Sequence, residues 1–259
     1  MKIKKPSYRL IILLSLITVA VLATIYSINQ MYPTLMKPRN PPELMPEPDN
    51  IYTFSPNTIL SDLDQGKVDT FIILPNKEGD LPSKYLGDIN WDELDYWKVA
   101  GALHTFVWNE PIEQWNIYFV SYRIHECQNE FHGFDQAYYF VYKQQNNLYL
   151  IHKVLIDPYA KVIDVFDTST KYEKEWPIIA SENIIVGASE ALSIAEEHGG
   201  KEARSQVENK CSVFIEFGPD RFLQKFLFCP FCYRHWGWQI EYWPSEFEIT
   251  IDPFTGKYE

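Results

Sequence analysis

The 259-residue sequence predicts an α+β fold with two tandem units behind an N-terminal transmembrane helix. Each unit is expected to be one helix followed by an antiparallel meander. Three observations support this prediction. An uncharged apolar run stands near the N-terminus, each half has one helix-like segment before its strand candidates, and an Ile-Asp-Pro-aromatic turn occurs at residues 156–159 and again at 251–254. The repeated turn suggests a duplicated unit.

The N-terminal segment has the pattern of a membrane anchor. Residues 1–9 carry four basic residues and no acidic one, and residues 10–28 are uncharged and apolar. That run is close to the roughly 20 residues that cross a bilayer, and its basic flank predicts the N-terminus inside and the body outside. The alternative is a signal peptide cleaved before Thr24. We favour the uncleaved anchor in the cell membrane, because the apolar run continues past Thr24. Both interpretations place the body outside the cytosol.

Residues 29–50 are expected to form a stalk. Six prolines lie between Tyr32 and Asn50. Proline cannot continue a helix and favours extended polyproline geometry, so this segment is predicted to be stiff and extended.

The first α+β unit is predicted over residues 51–170. Its N-terminal part, 51–90, is expected to be a cap with a short helix over 57–65 and a strand over 70–74. A helix follows over 91–108 and ends at Asn109 and Pro111. Aromatic and β-branched content predicts strands at 115–124, 136–143, 148–156 and 161–166. Asn146-Asn147 is expected to turn between the second and third of these strands.

The second unit is predicted over residues 171–259. Alanines recur at helical spacing over 188–198, and Gly199-Gly200 is expected to end that helix. The predicted strands are 203–217, 237–243 and 246–252. Three acidic residues are expected on the solvated face of the helix: Glu190, Glu196 and Glu197.

The last strand leads into a turn with specific residue requirements. Phe247, Ile249 and Ile251 alternate with polar residues, as in a strand with one buried face. In the turn that follows, Asp252 suits the first position and Pro253 presets φ. Gly256 is therefore predicted to have a positive φ.

The second unit resembles the PepSY domain. The matching pieces are SEALSIAEEHGG, WQIEYW and ITIDPFTGKYE, within residues 178–259. A weaker copy over 91–168 keeps Asp157 but has Ala160 and Lys161 where Thr255 and Gly256 stand. The resemblance implies a non-catalytic extracytoplasmic domain of a membrane-anchored bacterial surface protein. Some such domains inhibit or escort secreted peptidases. It implies no catalytic residue and no cofactor.

The motif Cys229-Pro-Phe-Cys232, followed by His235, has three interpretations. A thioredoxin-like redox pair would need a helix directly after the motif, and the sequence continues into a strand instead. A zinc site would need a fourth ligand that the spacing does not identify. A local disulfide fits an extracytoplasmic compartment. We rank the disulfide first, the metal site second and redox catalysis third.

Two cysteines remain. Cys127 follows the first predicted strand of the first unit, and Cys211 lies in the first predicted strand of the second unit. Four cysteines allow three pairings, and a local Cys229–Cys232 bond leaves one. We therefore expect a Cys127–Cys211 disulfide between the units. The alternative is two buried free thiols.

An aromatic insertion at 218–236 interrupts the second unit. It could contact a partner protein or a membrane, or it could fold back onto the sheet. The candidate contact residues are Phe226, Phe228, Phe231, Tyr233 and Trp236.

Charge and motif content narrow the function. The net charge is −12, which disfavours binding to nucleic acid because that affinity comes from neutralised phosphates. No nucleophile or phosphate-binding motif is present. Most of the six histidines are expected to be ordinary, partly exposed residues: His104, His125, His132, His152, His198 and His235.

We predict a non-catalytic binding or regulatory protein with an extracytoplasmic protein partner. The alternatives are an envelope thiol-disulfide oxidoreductase and a structural or cell-wall interaction protein.

Overall fold

One antiparallel sheet organises the part of the chain that the computed structural model describes. That part comprises residues 49–74, 89–127, 131, 133–171, 184–208, 210–219 and 236–258, and it belongs to a compact unit spanning Pro48–Glu259. The predicted tail and anchor, and nearly all of the predicted stalk, lie outside these residues. Within them, no helix is long and apolar enough to cross a membrane.

The sheet has nine strands in the order β2-β1-β6-β5-β4-β3-β7-β8-β9, and every neighbouring pair is antiparallel. Two meanders therefore lie side by side, one formed by β3 to β6 and one by β7 to β9. The strands are β1 Asn50–Thr53, β2 Ile72–Ile73, β3 Asn116–Ile124, β4 Gln136–Gln145, β5 Leu148–Asp157, β6 Val162–Lys171, β7 Ser212–Pro219, β8 Trp236–Trp243 and β9 Phe247–Ile251.

A helix precedes each meander. These helices are α2 (Glu93–Trp108) before β3, and α3 (Ala188–Ala195) with α4 (Lys201–Gln206) before β7. A short helix, α1 (Ile59–Asp64), lies between β1 and β2. A 3₁₀ turn (Ile112–Gln114) connects α2 to β3. Together with the antiparallel sheet, these helices confirm the predicted α+β class.

Local sequence explains both ends of α2. The Asp92 carboxylate accepts hydrogen bonds from the Leu94 and Asp95 backbone N–H groups, and Asp95 bonds back to the Asp92 N–H. This capping box satisfies donors that the first helical turn leaves open. At the other end, Asn109 is left-handed with φ 53°, a conformation that asparagine tolerates. The helix therefore ends where the sequence predicts.

The two meanders join where their first strands pair. In the β3–β7 ladder, Tyr122 lies opposite Ile215 and Val120 lies opposite Phe217, and all four side chains are buried. They share one hydrophobic core with the inner sides of the helices. Glu93, at the start of α2, also accepts a hydrogen bond at 3.1 Å from the Ser189 N–H at the start of α3. The halves are thus joined by a ladder, a common core and a shared helix cap.

A disulfide closes the same junction. Cys127 follows β3, Cys211 precedes β7, and their Cα atoms are 5.2 Å apart. The Cys127 N–H also donates to the Cys211 carbonyl at 3.0 Å. This is the pairing expected from the sequence.

The helical segment that begins with α3 ends at the predicted glycines, because His198 and Gly199 have non-helical backbone angles. The prediction for the residues after them was wrong, since residues 203–206 are helical rather than strand. Gly199 has φ 122°, and a Cβ there would lie 2.8 Å from the Phe247 ring. A glycine at this position lets the chain turn sharply through Glu196–Gly200 and enter α4. Strand β7 begins only at Ser212.

Glu196 is also placed differently from the sequence prediction. Its side chain is 17% exposed rather than solvated, and it bonds the buried Arg204 at 2.8 Å. The Tyr242 hydroxyl donates to its second oxygen at 2.6 Å. A buried cation needs a paired anion, so Arg204 turns Glu196 inward and fixes α4 against β8.

The two Asp-Pro turns have the same construction. Asp157 accepts a hydrogen bond from the Ala160 N–H at 2.8 Å, and Asp252 accepts one from the Thr255 N–H at 2.9 Å. Four residues after each aspartate the chain is left-handed, with φ 61° at Lys161 and 68° at Gly256. The positive φ predicted for Gly256 is confirmed, and its counterpart adopts the same conformation without being glycine.

Gly256→Ala should destabilise the protein by about 1–2 kcal/mol, the usual cost of placing an L-residue in the left-handed region. The added Cβ would meet Val186 and Ile194 only at 3.6 and 3.8 Å, so the cost arises from the backbone and not from crowding. Chemical denaturation measures it.

Lys161→Gly is the matched control at the equivalent position. It should stabilise the protein slightly, by about 0.5 kcal/mol, because relief of the left-handed backbone exceeds the entropy cost of glycine. Effects of the same sign at the two positions would contradict the equivalence of the turns.

Replacing Cys127 and Cys211 together by alanine should lower the free energy of unfolding by up to about 4 kcal/mol, because the bond closes a long loop in the unfolded chain. The sequence separation of the two cysteines is 84. For a unit of this size, the melting temperature should fall by about 10 °C.

The control is the Cys229→Ala, Cys232→Ala pair, which removes a bond that would close almost no loop. Its melting temperature should stay near that of the parent. A larger loss in the control than in the Cys127, Cys211 variant would contradict the assigned role of the junction disulfide.

Candidate functional site

Most of the predicted site residues lie outside the described part of the chain. This applies to Cys229, Cys232 and His235, so the order of disulfide, metal and redox interpretations stays a prediction. It also applies to four of the aromatic contact residues: Phe226, Phe228, Phe231 and Tyr233.

Trp236 is the one aromatic contact residue that the structure places. It is the first residue of β8 and is partly buried. Its ring centroid lies 5.8 Å from that of Tyr118 and 5.9 Å from that of Phe217. Trp236 therefore packs against neighbouring strands, as in the folded-back interpretation of the insertion.

The sequence analysis missed a buried histidine pair. The interpretation of these residues as ordinary, partly exposed histidines was wrong for His104 and His152, which are 0% and 6% exposed. His152 Nδ1 lies 2.9 Å from His104 Nε2. His104 belongs to the last turns of α2 and His152 to β5, so the pair bridges helix and sheet.

Two tryptophans enclose this pair. The His152 ring stacks between Trp108 and Trp115, with both centroid distances 3.9 Å and interplanar angles of 10° and 26°. Trp108 lies one helical turn after His104, and Trp115 begins the approach to β3. Ordinary helix periodicity and a short connection thus bring both indoles to one imidazole. We call His104, Trp108, Trp115 and His152 the His–Trp cluster.

An ion pair closes the cluster on one side. The Glu110 carboxylate accepts from Trp115 Nε1 at 3.0 Å and from Lys143 Nζ at 2.9 Å. Hydrogen bonding from Lys143 is the main reason why the pKa of Glu110 is lowered. This pair holds Trp115 in its stacked position.

The hydrogen bonds fix the tautomers of both histidines. His104 Nδ1 lies 2.7 Å from the Glu110 carbonyl oxygen, which can only accept, so Nδ1 carries the proton. In the neutral ring, His104 Nε2 is then an acceptor, and His152 Nδ1 must donate to it. A neutral His152 therefore has a bare lone pair on Nε2.

Burial keeps both rings neutral. It lowers the pKa of His104, and it lowers the pKa of His152 to about 3, with a further contribution from the neighbouring His104. Desolvation disfavours the imidazolium in each case. The tautomer assignment for neutral rings therefore holds at ordinary pH.

An acidic cavity of about 320 Å³ adjoins the cluster. Asp167 lies opposite His152 in the β5–β6 ladder, and its carboxylate oxygen is 4.0 Å from His152 Nε2. The Asp49 carboxylate accepts a hydrogen bond from the Asp167 N–H. Burial raises the pKa of Asp167, and the charge of Asp49 adds to that rise. The lining residues are Asp49, Asn50, Val107, Trp108, Val165 and Asp167.

A second cavity of about 410 Å³ lies at the Asp157 turn. Its wall includes Thr53, Phe54, Asp62 and Lys161. It has mixed polarity, and no buried polar side chain points to a particular ligand there.

Metal binding has no geometric support in residues 49–258 where they are described, because no three His, Cys, Asp or Glu side chains converge there. The His–Trp cluster instead offers one hydrogen-bond-accepting nitrogen, His152 Nε2, which lies 4.0 Å from the Asp167 carboxylate. Strand alternation could have placed His152 inward, since it shares a face with Val154 and Ile156. No residue spacing in the sequence indicates that His104 contacts His152.

Comparison with known proteins adds no family. The chain matches no family model, no curated protein and no solved structure.

The His–Trp cluster predicts a specific dependence of stability on pH. An unfolded histidine binds a proton below about pH 6.5, whereas folded His152 does so only near pH 3. Between these values the unfolded state binds more protons, so stability falls as the pH is lowered, by at most about 1.4 kcal/mol per pH unit for this group. Above pH 6.5 its contribution is constant. Denaturation at several pH values tests this.

His152→Gln provides the control, because glutamine retains a side-chain amide donor but does not titrate. Its stability should decline less steeply between pH 6.5 and 4. Nitrogen NMR of the parent should also show both cluster histidines as neutral Nδ1–H tautomers at pH 5. An imidazolium signal from His152 at that pH would contradict the assignment.

Proposed function

We propose that this protein is a membrane-anchored, extracytoplasmic binding or regulatory protein without catalytic activity. Its N-terminus would lie in the cytoplasm and its body outside the cell membrane. The observation that carries the proposal is the Cys127–Cys211 disulfide at the junction of the two meanders.

The disulfide bears on location because such bonds persist in oxidising compartments and are rare in the cytosol. Both cysteines are buried at 5% exposure, and the bond closes the ladder between β3 and β7. A bond at the centre of the fold is a structural staple rather than a surface thiol pair. Together with the apolar run at 10–28, it supports a body that is exported and held at the membrane.

The repeated architecture supports two tandem PepSY-like units. Each half has a helix before its meander, and the third strand of each meander leads into an Asp-Pro turn with a left-handed residue four positions after the aspartate. In this proposal the junction between the units is the β3–β7 ladder. The single sheet then results from pairing of two similar units through their first strands.

The proposed partner is another extracytoplasmic protein, such as a secreted peptidase or a second envelope protein. The PepSY resemblance suggests this class. The strongly acidic body and the aromatic insertion are the surfaces that we assign to partner binding. The buried His–Trp cluster fits a rigid scaffold, since His152 is stacked between Trp108 and Trp115 and hydrogen-bonded to His104.

Expression of the full chain in a bacterial host tests location and anchoring. Intact protein should fractionate with membranes, and protease added to intact cells should release a fragment that begins near Asn50. Mass spectrometry of that fragment without reduction should show Cys127 linked to Cys211.

The control is a chain that lacks residues 10–28, which should remain cytoplasmic and be isolated with Cys127 and Cys211 reduced. Recovery of the full-length product in the medium with Thr24 as its first residue would replace the anchor with a cleaved signal peptide. Protection of the body from external protease would contradict the proposed location.

A further inference from the structure

We infer that the acidic cavity beside the His–Trp cluster is a binding site for a primary ammonium group on a slender organic molecule. The inference goes beyond the proposed function and does not depend on the anchor or on the cellular location. It rests on the arrangement of His152, Asp167, Asp49 and Trp108.

The first argument is the unused nitrogen of His152. The side chain is 7% exposed, and its Nδ1 is committed to His104. The tautomers fixed by the Glu110 carbonyl leave Nε2 as a hydrogen-bond acceptor directed at the carboxylate of Asp167. The separation of 4.0 Å is too long for a hydrogen bond, and two acceptors cannot bond each other. Among the described residues, no hydrogen bond reaches this nitrogen.

The second argument is that a donor fits between these two acceptors. Consider a nitrogen about 2.8 Å from both His152 Nε2 and the Asp167 oxygen. The Nε2–nitrogen–oxygen angle would be about 90°, which two N–H donors of one ammonium group can span. A zinc ion with bonds of about 2.1 Å to both atoms would require an angle near 145°, far from tetrahedral. The spacing therefore suits an ammonium group better than a metal ion.

The third argument is the charge and shape of the cavity. Both of its charged residues, Asp49 and Asp167, are anionic, and they lie close enough that Asp49 raises the pKa of Asp167. An organic cation would relieve this repulsion. Besides Asn50, the remaining wall is formed by Trp108, Val107 and Val165, which suit an alkyl chain, and the indole permits cation–π contact. About 320 Å³ accommodates a short aliphatic amine.

A titration of the purified full chain in a non-ionic detergent at pH 7 tests the site. The probe is n-butylammonium chloride at constant ionic strength, and the readout is the nitrogen NMR signal of His152 in histidine-labelled protein. We expect a saturable shift of Nε2 with a millimolar dissociation constant. Tetramethylammonium carries the same charge without N–H donors, so it should bind about tenfold more weakly.

Asp167→Asn should weaken butylammonium binding about tenfold, because it removes one charged acceptor. The Asp167 side chain is 60% exposed, so the variant is expected to fold. Glu248→Gln is the matched control: it removes the same charge from an exposed position on β9, at the other edge of the sheet, and should leave the affinity unchanged.

Three outcomes would overturn the assignment. The first is the absence of a saturable shift at butylammonium concentrations up to about 100 mM. That limit is 100-fold above a dissociation constant of about 1 mM, the upper range for a specific weak site. The second is equal binding of butylammonium and tetramethylammonium, or equal loss of affinity in Asp167→Asn and Glu248→Gln, which would reduce the effect to general charge. The third is a Zn²⁺-induced shift with no response to butylammonium, which would make this a metal site.

Discussion

The antiparallel pairing of β3 with β7 is the interaction on which the rest of the described structure depends. Each is the first strand of its meander, and without the other it would be an open edge with unpaired backbone groups. Pairing them aligns both inner faces, so that Tyr122 and Ile215 meet in one core. It also brings the starts of α2 and α3 together, where Glu93 caps the second helix. Buried residues of both halves therefore belong to one main hydrophobic core.

The elements that sequence predicted well are those fixed by local chemistry. Aromatic and β-branched content located most strands, Asn109 marked the end of α2, and Asn146-Asn147 forms the expected turn, with φ 48° and 62°. The segment after α3 was less predictable because a distant contact decides it. Only the folded structure shows that Gly199 must admit the Phe247 ring, and that Arg204 needs Glu196 as its buried partner.

The candidate site could not be predicted from the sequence for a similar reason. His104 and His152 are far apart along the chain and follow no metal-binding spacing, and histidine is intermediate in its tendency to be buried. The protonation pattern of the pair depends on the Glu110 carbonyl. This carbonyl places a proton on His104 Nδ1, and His104 Nε2 in turn requires a proton on His152 Nδ1. A backbone carbonyl carries no sequence signature. The hydrogen-bond chain from Glu110 through His104 to His152 can therefore be recognised only in the folded structure, even though each residue in it is common.

The position of the junction disulfide has a mechanical consequence. A body held by one end at a surface and pulled at the other transmits force along its covalent chain. With Cys127 bonded to Cys211, tension bypasses the intervening segment, whose sequence separation is 84. At about 3.4 Å per residue, roughly 290 Å of chain is withheld from extension until the bond is reduced. The segment between them, with β4, β5, β6 and helices α3 and α4, could lose its fold under load without lengthening the chain that bears the force. Reduction of this one buried bond would therefore make that length of chain available for extension under tension.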